Sequence, residues 1–253
     1  MGSVRVGTSG WVYRDWRDRF YPPGLAQPCW LSYYAAHFDT VELNATTYRL
    51  PTESQIRRWC DLVPDAFRYT VKLSRLITHR RSMPERLDHF LHNYFQRASC
   101  FVPAKLAQVL VQFPPYLARD DTRLESFFDK LPPGYRYVVE FRHESWFAQP
   151  VRELLARRNI ALCIHDYPGM RVPTWITSDT LAYVRFHGAV GLYVGSYSKR
   201  TLRRWASRLR EFSTQVPEVY VYFNNDTLGA ATQDAAALKT MLRFPIEQLT
   251  LNA

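Results

Sequence analysis

A single (β/α)8 barrel is the fold class this sequence predicts, and three observations carry that reading. First, seven short apolar runs end on polar or charged residues. They are Val41-Glu42-Leu43-Asn44, Tyr69-Thr70-Val71-Lys72, Val109-Leu110-Val111-Gln112, Val138-Val139-Glu140-Phe141-Arg142, Leu162-Cys163-Ile164-His165-Asp166, Tyr183-Val184-Arg185-Phe186-His187 and Val221-Tyr222-Phe223-Asn224-Asn225. Second, helix-sized segments separate the runs, the alternation expected of parallel βαβ units. Third, the chain has 253 residues, close to the roughly 250 typical of such a barrel. A strand covered on both faces is a short apolar run because water reaches neither face. Charge at its end must pair, coordinate something or face a cleft. Barrel active sites lie at the C-terminal rim of the strands. No Gly/Ser linker, low-complexity block or repeat marks a boundary, so residues 1–253 read as one domain.

In chain order, Val4–Thr8 is the first expected strand, followed by a long aromatic loop from Trp11 to Gly24. Trp30–His37 is expected to be helical, Thr40–Asn44 a strand, and Ser54–Leu62 a helix opened by Pro51-Thr52. Arg68–Leu73 is the third strand. Leu87–Ser99 has helical apolar spacing, with Leu87, Phe90, Leu91, Tyr94 and Phe95 on one side. Ala107–Phe113 is a strand stopped by Pro114-Pro115. Arg123–Leu131 is a helix ended by Pro132-Pro133-Gly134. Tyr137–Phe141, Ala161–His165, Leu181–Phe186 and Val219–Phe223 complete the strands, with helices at Val151–Arg158, Lys199–Gln215 and Ala230–Leu242. A doubly wound open sheet would alternate in the same way. It would carry a phosphate loop after its first strand, and Gly7-Thr8-Ser9-Gly10 is not a G-x-G-x-x-G.

Composition narrows the class. Apolar content of 47% supports a large core. No apolar run approaches the roughly 20 residues of a membrane span, and Met1–Arg5 lacks the pattern of a signal peptide. Cys29, Cys60, Cys100 and Cys163 form no C-x-x-C pair, so reduced thiols and a cytoplasmic location are expected. The formal net charge of +10 attracts anionic partners, nucleic acid among them. Oligomeric state is not legible.

Several motifs together resemble a known family. They are Gly7-Thr8-Ser9-Gly10-Trp11, Glu42-Leu43-Asn44-Ala45-Thr46-Thr47-Tyr48, Val71-Lys72, Thr78-His79, Gln112-Phe113-Pro114-Pro115, Glu140-Phe141-Arg142-His143-Glu144-Ser145-Trp146, Tyr183-Val184-Arg185-Phe186-His187-Gly188 and Tyr222-Phe223-Asn224-Asn225. The chain resembles the YecE-like proteins, TIM barrels catalogued as a domain of unknown function, from Val4 to about Leu242. Thr47 departs from the pattern, where the family usually has an aromatic residue. The resemblance implies the barrel and supplies no reaction.

The chemistry must therefore be read from the rim. Glu42 and Asn44 lie two apart on one strand and share a face, as do Glu140 and Arg142, and Arg185 and His187. Glu140, Glu42, His187 and Lys72 are the candidate catalytic groups, with Glu140 foremost as general base. Asn44, Gln112, Arg142, His165, Asp166, Arg185, Tyr193, Tyr197 and Asn225 are candidate substrate contacts. Glu42 or Glu140 could instead balance the cations in a buried ion network, and a lone His165 is more often structural than a ligand. His165, Asp166 and His187 are ligand types for zinc or manganese. Lys72, Arg142 and Arg185 compete with a metal for the acids, and no H-x-H or H-E-x-x-H spacing is present. No cofactor is therefore assigned, and a divalent metal is the lesser reading. The aromatics Trp11, Tyr13, Trp16, Phe20 and Tyr21 are expected to pack at the mouth. Tyr193 and Tyr197 are expected to form a lid. An enzyme acting on a phosphate-containing substrate, foremost a nucleic-acid phosphodiester, is the leading reading. Isomerase or lyase chemistry on a small sugar, phosphate or carboxylate, and anion binding without turnover, are the alternatives.

Overall fold

The computed structural model describes residues 1–44, 51–80, 85–101 and 105–243. The motif portion Ala45–Tyr48, with its unusual Thr47, lies outside the described residues. Eight parallel strands close into one barrel in sequence order: β1 Ser3–Ser9, β2 Thr40–Leu43, β3 Arg68–Lys72, β4 Leu106–Phe113, β5 Tyr137–Phe141, β6 Ala161–His165, β7 Leu181–Phe186 and β8 Glu218–Phe223. Helices α1 Trp30–His37, α2 Glu53–Asp61, α3 Arg75–Thr78, α4 Leu87–Ala98, α5 Asp121–Asp129, α6 Gln149–Arg157, α7 Lys199–Gln215 and α8 Ala230–Arg243 connect them. Strands β5, β6 and β7 and helices α1 and α7 begin and end where the sequence places them. The short α3, started by the Ser74 side chain accepting from the Leu76 amide, has no counterpart among the expected elements. Thr52 and Gln55 form a reciprocal capping box that starts α2 just after Pro51.

No helix joins β6 to β7. Thr177 of that connection accepts from the Leu162 amide at 2.8 Å and donates to the Ile160 carbonyl at 2.7 Å. Trp175 and Ile176 pack on the core nearby. The segment thus covers β6 as a helix would.

Side-chain alternation sorts the barrel into two cores. Val6, Val41, Val71, Val109, Val139, Val184 and Phe223 face the helix layer. Leu110, Val138, Cys163, Leu181, Tyr183, Tyr220 and Tyr222 fill the interior. Polar groups there are hydrogen-bonded to one another. The Tyr222 hydroxyl lies 2.6 Å from Thr40 Oγ1 and 2.8 Å from Thr70 Oγ1, and Gln108 Nε2 donates to Thr70 Oγ1 at 2.6 Å. The first loop packs as expected: Trp16 and Tyr21 are buried, and Tyr21 stacks on Trp30 with centroids 4.3 Å apart. Among the described residues no helix is long and apolar enough to cross a membrane.

Candidate active site at the barrel mouth

Arg185 is the centre of the mouth. It lies on the interior face of β7 and is fully buried. Its Nη1 donates to Glu140 Oε2 at 2.5 Å and its Nη2 to Glu42 Oε1 at 2.7 Å. Glu140 Oε1 accepts from Arg142 Nε at 2.8 Å. Glu42 accepts from Ser9 Oγ at 2.9 Å and from the Tyr183 hydroxyl at 2.6 Å. Two carboxylates and two guanidiniums therefore alternate in the order Glu42, Arg185, Glu140, Arg142. The sequence order of strands explains the arrangement: Ser9 pairs in register with Glu42 on β2, and Gln112 pairs with Glu140 on β5. Alternation points each side chain inward at the same height.

This chain of charges decides the protonation of its members. Burial alone would raise the Glu140 carboxyl, but Arg185 and Arg142 outweigh it and hold the group well below the usual carboxylate range. Burial opposes the charge on Arg185, and Glu140 and Glu42 outweigh it in turn. A carboxylate held this low, with both oxygens occupied, is a poor proton acceptor near neutrality. The geometry thus supports an ion network for Glu140, and its work is to aim Arg142 and Arg185.

The flanking groups are different. Burial pulls the Lys72 amine down to about 8, and Arg185 adds to that against Glu140 and Glu42. His79 nearby is pushed down to about 4 by burial and by Lys72. His187 Nε2 lies 3.2 Å from Arg185 Nη1 and 3.3 Å from Arg142 Nη2. Guanidinium nitrogens only donate, so Nε2 accepts and the ring hydrogen belongs on Nδ1, 3.6 Å from Asp166 Oδ1. Asp166 also accepts from the His187 amide at 2.6 Å and from the Tyr197 hydroxyl. Arg142 stacks its guanidinium on Tyr167, 4.5 Å from the ring centroid.

The other residues that the sequence singles out divide. Gln112 is buried at the mouth, and Asn44 lies half-buried at the end of β2; Gln112 Oε1 and Asn44 Oδ1 have no hydrogen-bond partner among the described residues. Tyr193 is exposed and left-handed at φ 67°, its amide held by the His187 carbonyl. His165 is buried, with Nε2 on the Phe141 carbonyl and Nδ1 on the Tyr167 amide. Burial pushes its ring down to about 4, so it is a neutral brace between strand ends. Tyr197 is no lid: it is buried against Phe186 and Phe223. Asn225 also departs from expectation. Its Nδ2 donates to Asp234 Oδ2 of α8 at 2.7 Å and to the Gly195 carbonyl at 2.9 Å, outside the barrel. The interior face of β8 runs through Tyr220 and Tyr222, and the same alternation carries it to Asn224. Counting parity from Tyr222 selects Asn224. Ser9 reads in sequence only as part of a backbone turn, yet its hydroxyl orients Glu42. Asp226, at the start of the loop after β8, carries no sequence signal.

Ser145 and Trp146 fix the loop after β5. The Ser145 hydroxyl accepts from the Arg119 amide at 2.8 Å, and Trp146 stacks on Phe141 with centroids 4.7 Å apart. As for metals, no group of three or more His, Cys, Asp or Glu side chains among the described residues could hold an ion. The oxygens of Glu42 and Glu140 are committed to guanidinium and hydroxyl donors, so this donor set does not fit a metal cage.

These features define a (β/α)8 barrel with a self-neutralising ion network under its mouth. The model of the family described as "Protein of unknown function DUF72" matches residues 5–252, and the chain belongs to that family. It is 28% identical to the UPF0759 protein YunF of Bacillus subtilis over 94% of each chain. It is 31% identical to the UPF0759 protein YecE of Escherichia coli over 62% of this chain and 55% of that one. A solved DUF72 family protein from Thermotoga maritima superposes with a TM-score of 0.84 at 30% identity, over 95% of this chain and 99% of that chain.

Proposed function

We propose that the mouth is the active site of an enzyme acting on a phosphate-bearing substrate, a nucleic-acid phosphodiester foremost. The supporting observation is the way Arg142 is presented. Glu140 fixes its Nε edge, His187 takes one Nη2 hydrogen and Tyr167 supports its face. Its Nη1 makes no hydrogen bond among the described residues, and Lys72 ends β3 on the same rim. A fork held in this way matches phosphate oxygens.

The surface supports a polyanion. Lys199, Arg200, Arg203, Arg204 and Arg208 are exposed on α7, whose first turn continues from the rim. A concavity of about 490 Å3 lies along this helix between Arg204, Trp205, Arg208 and Glu211. Arg208 lies over the Trp205 ring at 5.4 Å, a pairing suited to single-stranded nucleic acid. We read this groove as part of the approach surface and place the chemistry at the mouth, where the perturbed groups gather.

A small phosphate or carboxylate is the second reading. Glu42, Glu140, Arg185 and His187 are fully buried, a depth that suits a compact group better than a duplex. Binding of a labelled single-stranded oligonucleotide across a salt series separates the two. A polyanion site loses affinity steeply with salt, and Arg203→Ala with Arg204→Ala reduces the slope by roughly 1.4 if both meet phosphates. A salt-independent affinity, or none at low salt, favours the small substrate. Displacement of the probe by inorganic phosphate in wild type and not in Arg142→Ala assigns the fork.

A further inference from the structure

Asp226 is a titratable group at the mouth that the ion network leaves unused. It follows the end of β8 at Phe223, and its neighbours come from separate elements. Trp16 of the first loop donates Nε1 to its carbonyl at 3.2 Å. Asp15 of the same loop accepts from the Leu228 amide at 3.3 Å. Leu228 itself is left-handed at φ 56°. The backbone around Asp226 is thereby held by the loop across the mouth. Its Oδ1 is buried and has no hydrogen-bond partner among the described residues.

The Tyr13 hydroxyl donates to the Ser9 carbonyl and lies close enough to the Asp226 carboxyl for each to shift the other's titration. A phenol has one hydrogen and can also accept. With its hydrogen on Ser9, Tyr13 offers Asp226 only an acceptor, which favours the protonated acid. With its hydrogen turned to Asp226, it stabilises the carboxylate. The other charged groups acting on Asp226 are Glu42 from β2 and Arg185 from β7. Burial raises the carboxyl to about 7; Tyr13 and Arg185 oppose the rise and Glu42 supports it. Closed barrel order places β8, β1, β2 and β3 side by side. Asp226 and Lys72 thus flank the Ser9–Glu42 pair from opposite sides.

We propose that Asp226, partnered by Tyr13, is a catalytic acid that protonates the departing oxygen of the substrate, with Lys72 as the complementary base. The inference rests on the mouth being the active site for a phosphate ester. In the step, a water oxygen bonds to phosphorus as the ester oxygen–phosphorus bond breaks. The Asp226 proton passes to the departing oxygen, which leaves as an alcohol, and the proton lost by the water passes to the neutral Lys72 amine. Exchange with solvent returns Asp226 to the acid and Lys72 to the neutral amine. Asp226, raised to about 7, and Lys72, lowered to about 8, both exchange protons close to neutrality, which suits such a step.

The test uses two phosphate diesters, bis(p-nitrophenyl) phosphate and dimethyl phosphate analysed for methanol release, with wild type, Asp226→Asn and Arg142→Ala. A nitrophenolate leaves without help, whereas methanol needs a proton. Asp226→Asn is expected to cost roughly 100-fold in kcat for methanol release and no more than about threefold for nitrophenolate. NMR titration of carboxyl-labelled aspartates is expected to show one signal titrating near pH 7 that Asp226→Asn removes. Equal losses on both reactions, or an Asp226 signal titrating in the ordinary carboxylate range, would overturn the inference while leaving the active-site reading intact. Wild type that turns over neither diester, with Arg142→Ala unchanged in phosphate binding, would instead sink the active-site reading, and this inference with it.

Discussion

The two ends of the same barrel each bury an arginine–glutamate network, and they differ in what the network leaves over. At the N-terminal end, Glu218 takes Arg136 Nη1 at 2.6 Å and Arg5 Nε at 3.4 Å, and Arg136 also reaches the Ala107 carbonyl and the Tyr220 hydroxyl. These side chains keep 19–33% of their surface exposed, so water shares the charge. At the mouth, Arg185, Glu42 and Glu140 are fully dry. Beside them lie a lowered amine, a raised carboxyl and the unpartnered oxygens of Asn44, Gln112 and Asp226. The base shares its charge with water and leaves Gln108 Oε1 unpartnered among the described residues, whereas the mouth is paired at its dry centre and leaves several polar groups open at its edge. Unpartnered polar groups beside a dry charge network are the observation on which the proposed active site rests.

The largest effect that could break this contrast comes from Arg185→Met. It strands two buried carboxylates and is expected to cost roughly 3–5 kcal/mol in denaturant unfolding. A loss no greater than that of Arg136→Met would erase the distinction between the two ends.

Glu140→Gln is expected to cost about 3 kcal/mol at pH 7, since Arg142 and Arg185 lose a charged partner in a dry setting. The folded carboxyl lies below its unfolded value of about 4.3. Its contribution is therefore complete above that value and is lost as pH falls through the lowered folded value. The gap between mutant and wild type should close in strong acid. A gap that is constant with pH would show that shape, rather than charge, carries the effect.

Lys72 sharpens the contrast from the other side, with opposite sign. Its folded value of about 8 lies below the unfolded value near 10.4, so the fold disfavours its charged form. The group costs stability below pH 8, and that cost disappears as pH rises through the unfolded value. Lys72→Met is expected to gain about 1 kcal/mol at pH 7 and nothing above about pH 11, while losing function. A destabilised variant would mean that the contacts of the amine outweigh the cost of its desolvation.

The smallest effect belongs to the base. Glu218→Gln leaves Arg136 its carbonyl and tyrosine partners and water within reach, so the loss is expected to stay under about 1 kcal/mol. Thermal unfolding beside Glu140→Gln tests the pair directly, and equal losses would contradict the contrast.

Much of the molecule is written in the chain. Apolar runs of strand length with polar ends, spaced by helix-length segments, determined the closed barrel, because a strand covered on both faces cannot place charge anywhere except its ends. Period-two alternation also determined that Glu42, Lys72, Gln112, Glu140, Arg142, Arg185 and His187 share one interior rim. Tertiary structure decided the rest, because pairing between strands far apart in sequence has no local signal. Glu140 reads alone as a free general base, and only the approach of Arg185 from β7 turns it into a committed partner. Asn224 and Asn225 differ in sequence by position alone, and only the structure ties Asn225 to Asp234 of α8 and to the Gly195 carbonyl. Asp226 looks like an ordinary loop carboxylate until the first loop folds over it. Burial and neighbouring charge set what a side chain can do, and both are properties of the assembled barrel.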